Sequence, residues 1–432
     1  MKDHRTPIEG LLVPVLALVA CLIGTAGAVR AQELSGDFRF RFYNDKYVNA
    51  KDNRGTENYV RYLAQIRAKW NANAHASFFN ELTTFTEANP LTPVRGIAGT
   101  GSVHYGISQI FAQLTYPDVL CFDALRFRVG RQQFPVGKGL SLGESYYFTD
   151  KFDGARLDLS CRSYNLSLFG AITGVNVSES GLYPEPGSDQ LYVARLAKRL
   201  YRHDLMVYSM GEKPRNSFND DNIVGAGFAA DWLDGRLDYY AEGAWQNFHT
   251  LPGLPEKGGI GYMAGMGYRW SMKYIRSIKV ETQYAAYQGD DVNTPKTEIF
   301  SPLYPSFFWG DRNGYVNGAI GGDYPYDGRN AEGSRIWYTR CYFRPAVLPD
   351  LRLQFQYIKL SEYVNRDGYN IYDDEFAIKA YYDLSRETTL QLRYAVDFSN
   401  GGDKDLNGNG IITSSEDRVN RHRLMMEFSI EL

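Results

Sequence analysis

The sequence has no apolar run of the roughly 20 residues that a membrane-spanning helix requires, which excludes a helical membrane protein. Its mean hydropathy is negative, at −0.39. Histidine is scarce: five lie beyond residue 31, namely His75, His104, His203, His249 and His422. None falls in a motif with a serine or an aspartate that would make a nucleophile and its base. An enzyme is therefore not expected. The formal net charge is −3, which by itself selects no partner, and no nucleic-acid partner is expected. What matters is which charges share a face.

Against these absences stand an aromatic content of 15% and 33 tyrosines. High tyrosine at moderate hydropathy suits a membrane β-barrel, in which only alternate residues meet lipid. The last stretch shows the pattern most plainly. Leu424, Met426, Phe428, Ile430 and Leu432 alternate with Arg423, Met425, Glu427, Ser429 and Glu431. A period of two, with one apolar and one polar face, is a strand between lipid and a lumen. A soluble sheet could alternate in this way but would need a covering element. The stretch also resembles the terminal signal of outer-membrane barrels, with Leu432 where an aromatic residue is usual.

Residues 1–31 read as a secretory signal peptide. Lys2 and Arg5 precede an apolar core over 11–23, and Val29-Arg30-Ala31 offers a cleavage site before Gln32. The remainder, 32–432, reads as one barrel domain. Leu18-Val19-Ala20-Cys21 also resembles a lipoprotein box, but the apolar run continues past Cys21. Export to an oxidising compartment would allow Cys121 and Cys161 to pair. A small apolar role for each is the reading the sequence favours.

Alternating segments follow one another along the whole chain, at 36–43, 59–70, 75–87, 106–116, 125–132, 155–160, 165–172, 190–200 and 205–210. They continue at 223–232, 236–248, 260–270, 278–287, 334–344, 351–360, 375–383, 389–398 and the terminal stretch. The expected fold is all-β, a transmembrane antiparallel barrel of about 18 strands, an even number as closure requires. Short turns near Asn73, Arg162, Asp234, Pro349 and Arg386 fall at one end. Long connections near Asp52, Gly99, Leu142, Glu185, Leu254, Gly314, Gly368 and Gly408 fall at the other. Short periplasmic turns and long outer loops are the layout of the outer membrane of a diderm (Gram-negative) bacterium, with lipid as a partner. Asp234-Gly235 marks a tight hairpin. Trp70, Trp232 and Trp270 end descending strands as an interfacial girdle would.

The inward faces collect many cations, among them Arg39, Arg41, Arg61, Arg67, Lys69, Arg126, Arg195, Arg199, Arg269, Arg344, Lys379, Arg421 and Arg423. The inward acids are fewer: Glu81, Glu87, Asp158, Asp238, Glu242, Glu281, Asp397, Glu427 and Glu431. Guanidinium forks match carboxylates and phosphates, and several around a narrow pore concentrate anions. The alternative is that the arginines pair with the acids and fill the lumen. The candidate selectivity residues, expected at mid-strand heights, are Arg128, Arg156, Arg340, Arg352 and Arg393.

Arg128-Val129-Gly130-Arg131-Gln132, Phe152-Asp153-Gly154-Ala155-Arg156-Leu157 and Phe300-Ser301-Pro302-Leu303-Tyr304-Pro305 with Gly310-Asp311 resemble the alginate export family of outer-membrane barrels. The resemblance implies a monomeric 18-stranded barrel that passes an anionic polysaccharide or a smaller anionic solute passively.

Two connections stand out. The segment 290–333 carries Pro295, Pro302, Pro305, Phe307, Phe308 and Trp309, and either folds inward to narrow the pore or caps it outside. In the other, Asp405, Asn407, Asn409, Gly410 and Glu416 complete a D-x-[DN]-x-[DN]-G-x5-E calcium loop. Asp405, Asn407, Asn409 and Glu416 would ligate Ca2+ through side chains and Ile411 through its carbonyl, with no flanking helices. The reading the sequence supports is a passive porin-like channel with an arginine-lined lumen. The competing readings are a closed structural or adhesin-type barrel and, behind it, an outer-membrane enzyme.

Overall fold

The computed structural model describes residues 33–49, 54–87, 102–142, 152–172, 190–213, 220–249, 257–288, 334–362, 372–400 and 418–431. The signal-peptide, the connection 290–333 and the calcium-loop readings lie outside them.

Eighteen antiparallel strands form one sheet, and β1 (Glu33–Asn49) pairs with β18 (Arg418–Glu431), so the sheet closes on itself. Closure leaves no unpaired edge in the membrane, where an unbonded backbone group has no water to turn to. Between them run β2 (Arg54–Asn71), β3 (Ala76–Glu87), β4 (Ser102–Val119), β5 (Phe122–Gln132), β6 (Phe152–Cys161), β7 (Tyr164–Ile172), β8 (Gln190–Leu200) and β9 (His203–Lys213). The second half comprises β10 (Asp220–Trp232), β11 (Leu237–His249), β12 (Lys257–Met272), β13 (Ile275–Tyr287), β14 (Ser334–Pro345), β15 (Leu351–Glu362), β16 (Tyr372–Asp383) and β17 (Thr388–Asn400). Every strand expected from alternation is present.

Burial inverts the soluble pattern. On β10 and β11, Val224, Phe228 and Trp245 are exposed, whereas Glu242 and Gln246 between them are buried. An apolar outside and a polar inside are what lipid selects. Trp232 and Trp270 lie on the outer face near the short-turn end, with Tyr268 stacked on Trp270. The β10–β11 hairpin turns on Leu233, Asp234 and Gly235, all with positive φ, and is closed by bonds from Gly235 N–H to Trp232 O and from Arg236 N–H to Leu233 O. Asp234-Gly235 thus occupies the centre of the tight turn, where left-handed backbone is required.

Cys121, Cys161 and Cys341 are free thiols. Cys121 sits in the β4–β5 turn and Cys161 ends β6, and the two are not bonded to each other in this structure.

A candidate anion site at the root of an inserted segment

The connection expected outside near Leu142 instead turns into the barrel directly after β5. Phe134, Val136, Leu140 and Leu142 are all at most 1% exposed. They pack against inward side chains of β6 to β9 and beyond, including Phe152, Phe169, Leu191, Val193, Met210 and Met263. An apolar core inside a barrel is a filled sector of the lumen, and it confines any passage to the remainder.

Local sequence explains the entry. Across the β5–β6 pairing, Arg128 faces Arg156, Gly130 faces Gly154, Arg131 faces Asp153 and Gln132 faces Phe152. Two of the stretches that carry the family resemblance are thus one paired unit. Gly130 has φ +124°, and a Cβ there would lie 2.2 Å from the Ile110 carbonyl oxygen, so only glycine fits. Gln132, fully buried, donates to the carbonyls of Gly130 and Gly154 at 3.3 and 3.2 Å and ties the strand ends together. Phe134 follows, stacked on Phe169 with centroids 4.8 Å apart.

The inserted tip is held from β9 and β11. The Lys138 backbone N–H donates to Glu242 at 2.7 Å, and the Tyr208 hydroxyl donates to the other Glu242 oxygen at 2.9 Å. Val136 N–H donates to Leu142 O at 2.9 Å and closes the segment on itself.

Beneath Phe134 lies a group of guanidiniums. Arg156 sits 4.7 Å and Arg195 5.8 Å from its ring centroid, and Arg128 covers Phe111 at 4.3 Å. Arg156 pairs with Asp158 at 2.8 Å. Arg195 reaches Asp158 only through Ser167, donating to its hydroxyl at 3.3 Å, while Ser167 donates to Asp158 at 2.6 Å. Arg128 donates to the neutral amide oxygen of Gln113 at 2.8 Å. Among the described residues, Asp158 is the carboxylate ion-paired within this group, so three cations stand against one anion. Arg128, Arg156 and Arg195 all remain partly exposed.

The other expected arginines are placed differently. Arg340 lies between Glu281, 3.6 Å away, and Tyr342, whose hydroxyl it reaches at 2.6 Å. Arg393 faces Lys379 across β16–β17 and is only 2% exposed, against the Met425 sulfur. Arg352 is the second residue of β15, at the short-turn rim and not at mid-strand, and it pairs with Asp383. The sequence reading also undercounts inward acids: Asp37 pairs with Arg39 on the same face as Gln65, and Asp383 serves both Arg344 and Arg352. Arg41 pairs with Glu427, and Arg67 with Glu81 at 2.7 Å. Much of the basic wall is therefore neutralised in place. Arg195, the inserted segment and the anchoring contact of Glu242 belong to this candidate site, and sequence reasoning did not single them out.

The family model described as alginate export matches residues 30–317, well over half the chain. No curated protein matches the sequence. Among solved structures, Pseudomonas aeruginosa OpdK with vanillate is similar at 11% identity and TM-score 0.54, covering 93% of this chain and 100% of its own. P. aeruginosa OccK3 (OpdO) is similar at 14% identity and TM-score 0.52, covering 93% and 97%. P. aeruginosa OccK5 (OpdH) is similar at 11% identity and TM-score 0.52, covering 94% and 100%. At these identities the likeness speaks to the barrel itself. With the closed 18-stranded sheet and the family match together, the chain belongs to the alginate export family and is a channel-type β-barrel of the Gram-negative outer membrane.

Proposed function

We propose that this barrel is a passive, anion-preferring channel whose selectivity resides at Arg128, Arg156 and Arg195. The observation that carries the reading is their charge balance: one partnering carboxylate, Asp158, for three partly exposed guanidiniums. A narrow, low-dielectric passage strengthens the field of such a group and replaces part of an entering anion's hydration. Forked donors over the aromatic faces of Phe111 and Phe134 suit a carboxylate carried on a ring. The proposed solutes are therefore carboxylated rings, from single sugar acids or aromatic acids to a polyuronate strand. The ligand named for OpdK, vanillate, is itself an aromatic carboxylate. The channel acts as a monomer and performs no chemistry on the solute.

The test is conductance of the purified protein in a planar bilayer under a KCl gradient. A steady current with an anion-selective reversal potential is expected, reduced by added uronates. A cation-selective or permanently closed barrel would reject the proposal.

A further inference from the structure

The outer face of the barrel carries a hollow that the channel reading does not use. Its volume is about 700 Å³, and its floor is made of Ala226, Ala241, Gly243 and Ala264. Leu196, Val207, Phe228 and Tyr262 rise around it. The register explains its shape. One outward row runs Tyr164, Lys198, Leu205, Phe228, Ala241, Ala264 from β7 to β12, and the next runs Leu196, Val207, Ala226, Gly243, Tyr262. Small residues on β10 to β12 make the floor of this trough low, and Leu196, Leu205, Val207 and Phe228 form a raised apolar wall between that floor and the β7–β8 end. The lining as a whole extends over five strand spacings of about 4.8 Å, about 24 Å from Tyr164 to Ala264. That accommodates an acyl chain lying obliquely in one leaflet, whose depth is half the roughly 30 Å hydrocarbon core.

One end of the trough is charged. Lys198 lies close to the short-turn end of β8, on the lipid-facing side. Its ammonium donates to the Tyr164 hydroxyl at 2.6 Å and sits 4.5 Å from the ring centroid. Among the described residues it makes no ion pair. A cation facing lipid without a counterion is costly unless the membrane supplies one. The Tyr164 hydroxyl, having accepted from Lys198, still holds a proton to donate to a phosphate oxygen.

We propose that this face binds one anionic phospholipid of the periplasmic leaflet, with its phosphate on Lys198 and Tyr164 and an acyl chain in the trough. The charge at the mouth favours a lipid over a second copy of the barrel as occupant. A zwitterionic headgroup fits less well, because its own cation competes with Lys198.

Native mass spectrometry of the detergent-purified barrel, supplied with equimolar phosphatidylglycerol and phosphatidylcholine of matched chains, tests this. Wild type is expected to retain phosphatidylglycerol with a preference of about fivefold, which is what one lysine contributes near an anionic surface. Lys198→Gln should abolish the preference while some lipid is still retained. Ala241→Leu with Ala264→Leu should fill the trough and lose both lipids. Heat-modifiable migration on gels confirms that each variant is folded. An undiminished preference in Lys198→Gln would overturn the proposal. So would retention unaffected by the leucines, or a dimer that the leucines dissolve.

Discussion

Glu242, on β11, accepts the backbone N–H of Lys138 at 2.7 Å, although 104 residues separate them. The same carboxylate accepts the Tyr208 hydroxyl at 2.9 Å, so one buried side chain satisfies two donors and pins the inserted segment to the wall. Glu242→Ala leaves both donors without that acceptor, at about 1–3 kcal/mol each for a buried unpaired group. The segment should lose its fixed position, and single-channel conductance should rise with added current noise. A quiet channel of wild-type conductance would mean that the segment does not bound the pore.

Gly137 sits beside the same carboxylate with φ +60°, and a Cβ there would lie 2.3 Å from Glu242 Oε2 and 2.7 Å from Met206 Cε. Gly137→Ala therefore combines backbone strain of about 1–3 kcal/mol with a clash against the anchor. Urea unfolding in micelles should show a loss of that order. Because the two residues touch, the double variant with Glu242→Ala should cost less than the sum of the singles. Strict additivity would place the cost of the alanine elsewhere.

How far the sequence disclosed this structure depends on whether the cause was local. Strand alternation is set residue by residue by lipid on one side and the lumen on the other, so β8 appears at the very residues expected, Gln190–Leu200. Strand ends ran longer than alternation indicates, as in β9, because backbone pairing continues after the side-chain pattern fades. The inserted segment escaped because its contacts are non-local: nothing near residue 138 in the chain announces Glu242 or Tyr208. A signal was present in Phe134, Val136, Leu140 and Leu142, too apolar a set for a solvated outer connection. Arg352 needed no non-local information, since its place at the start of the alternating stretch 351–360, next to the short turn near Pro349, already sets it at the rim.

The calcium-loop pattern from Asp405 to Glu416 predicts a cation-dependent brace. Terbium luminescence, sensitised by neighbouring tyrosines and competed by Ca2+, should report binding in wild type. It should vanish in Asp405→Ala combined with Glu416→Ala, because the first and twelfth positions supply the strongest ligands. Resistance to limited proteolysis between 401 and 417 should fall on chelation in wild type alone. Equal terbium signals in both proteins would remove the ion from this loop.

Two basic groups on the wall compete for the selectivity role, and paired substitutions separate them. Arg128 and Arg195 are partly exposed and bond to the neutral oxygens of Gln113 and Ser167, so their charge is available to a passing solute. Arg340 shares Glu281, and Arg393 is buried. Arg128→Ala with Arg195→Ala leaves Arg156 matched by Asp158. Reversal potentials should move most of the way towards those of a non-selective pore. Arg340→Ala with Arg393→Ala should move them less and should mainly lower stability in urea, since it hollows a packed wall and leaves Glu281 with less charge compensation. Arg352→Ala, at the rim and paired with Asp383, should change neither. All three variants share one salt gradient, and raising the salt should shrink the first shift through screening. If the Arg340 and Arg393 pair instead abolishes anion preference while the Arg128 and Arg195 pair leaves it intact, the selectivity site lies on β14 to β17, opposite the root of the inserted segment.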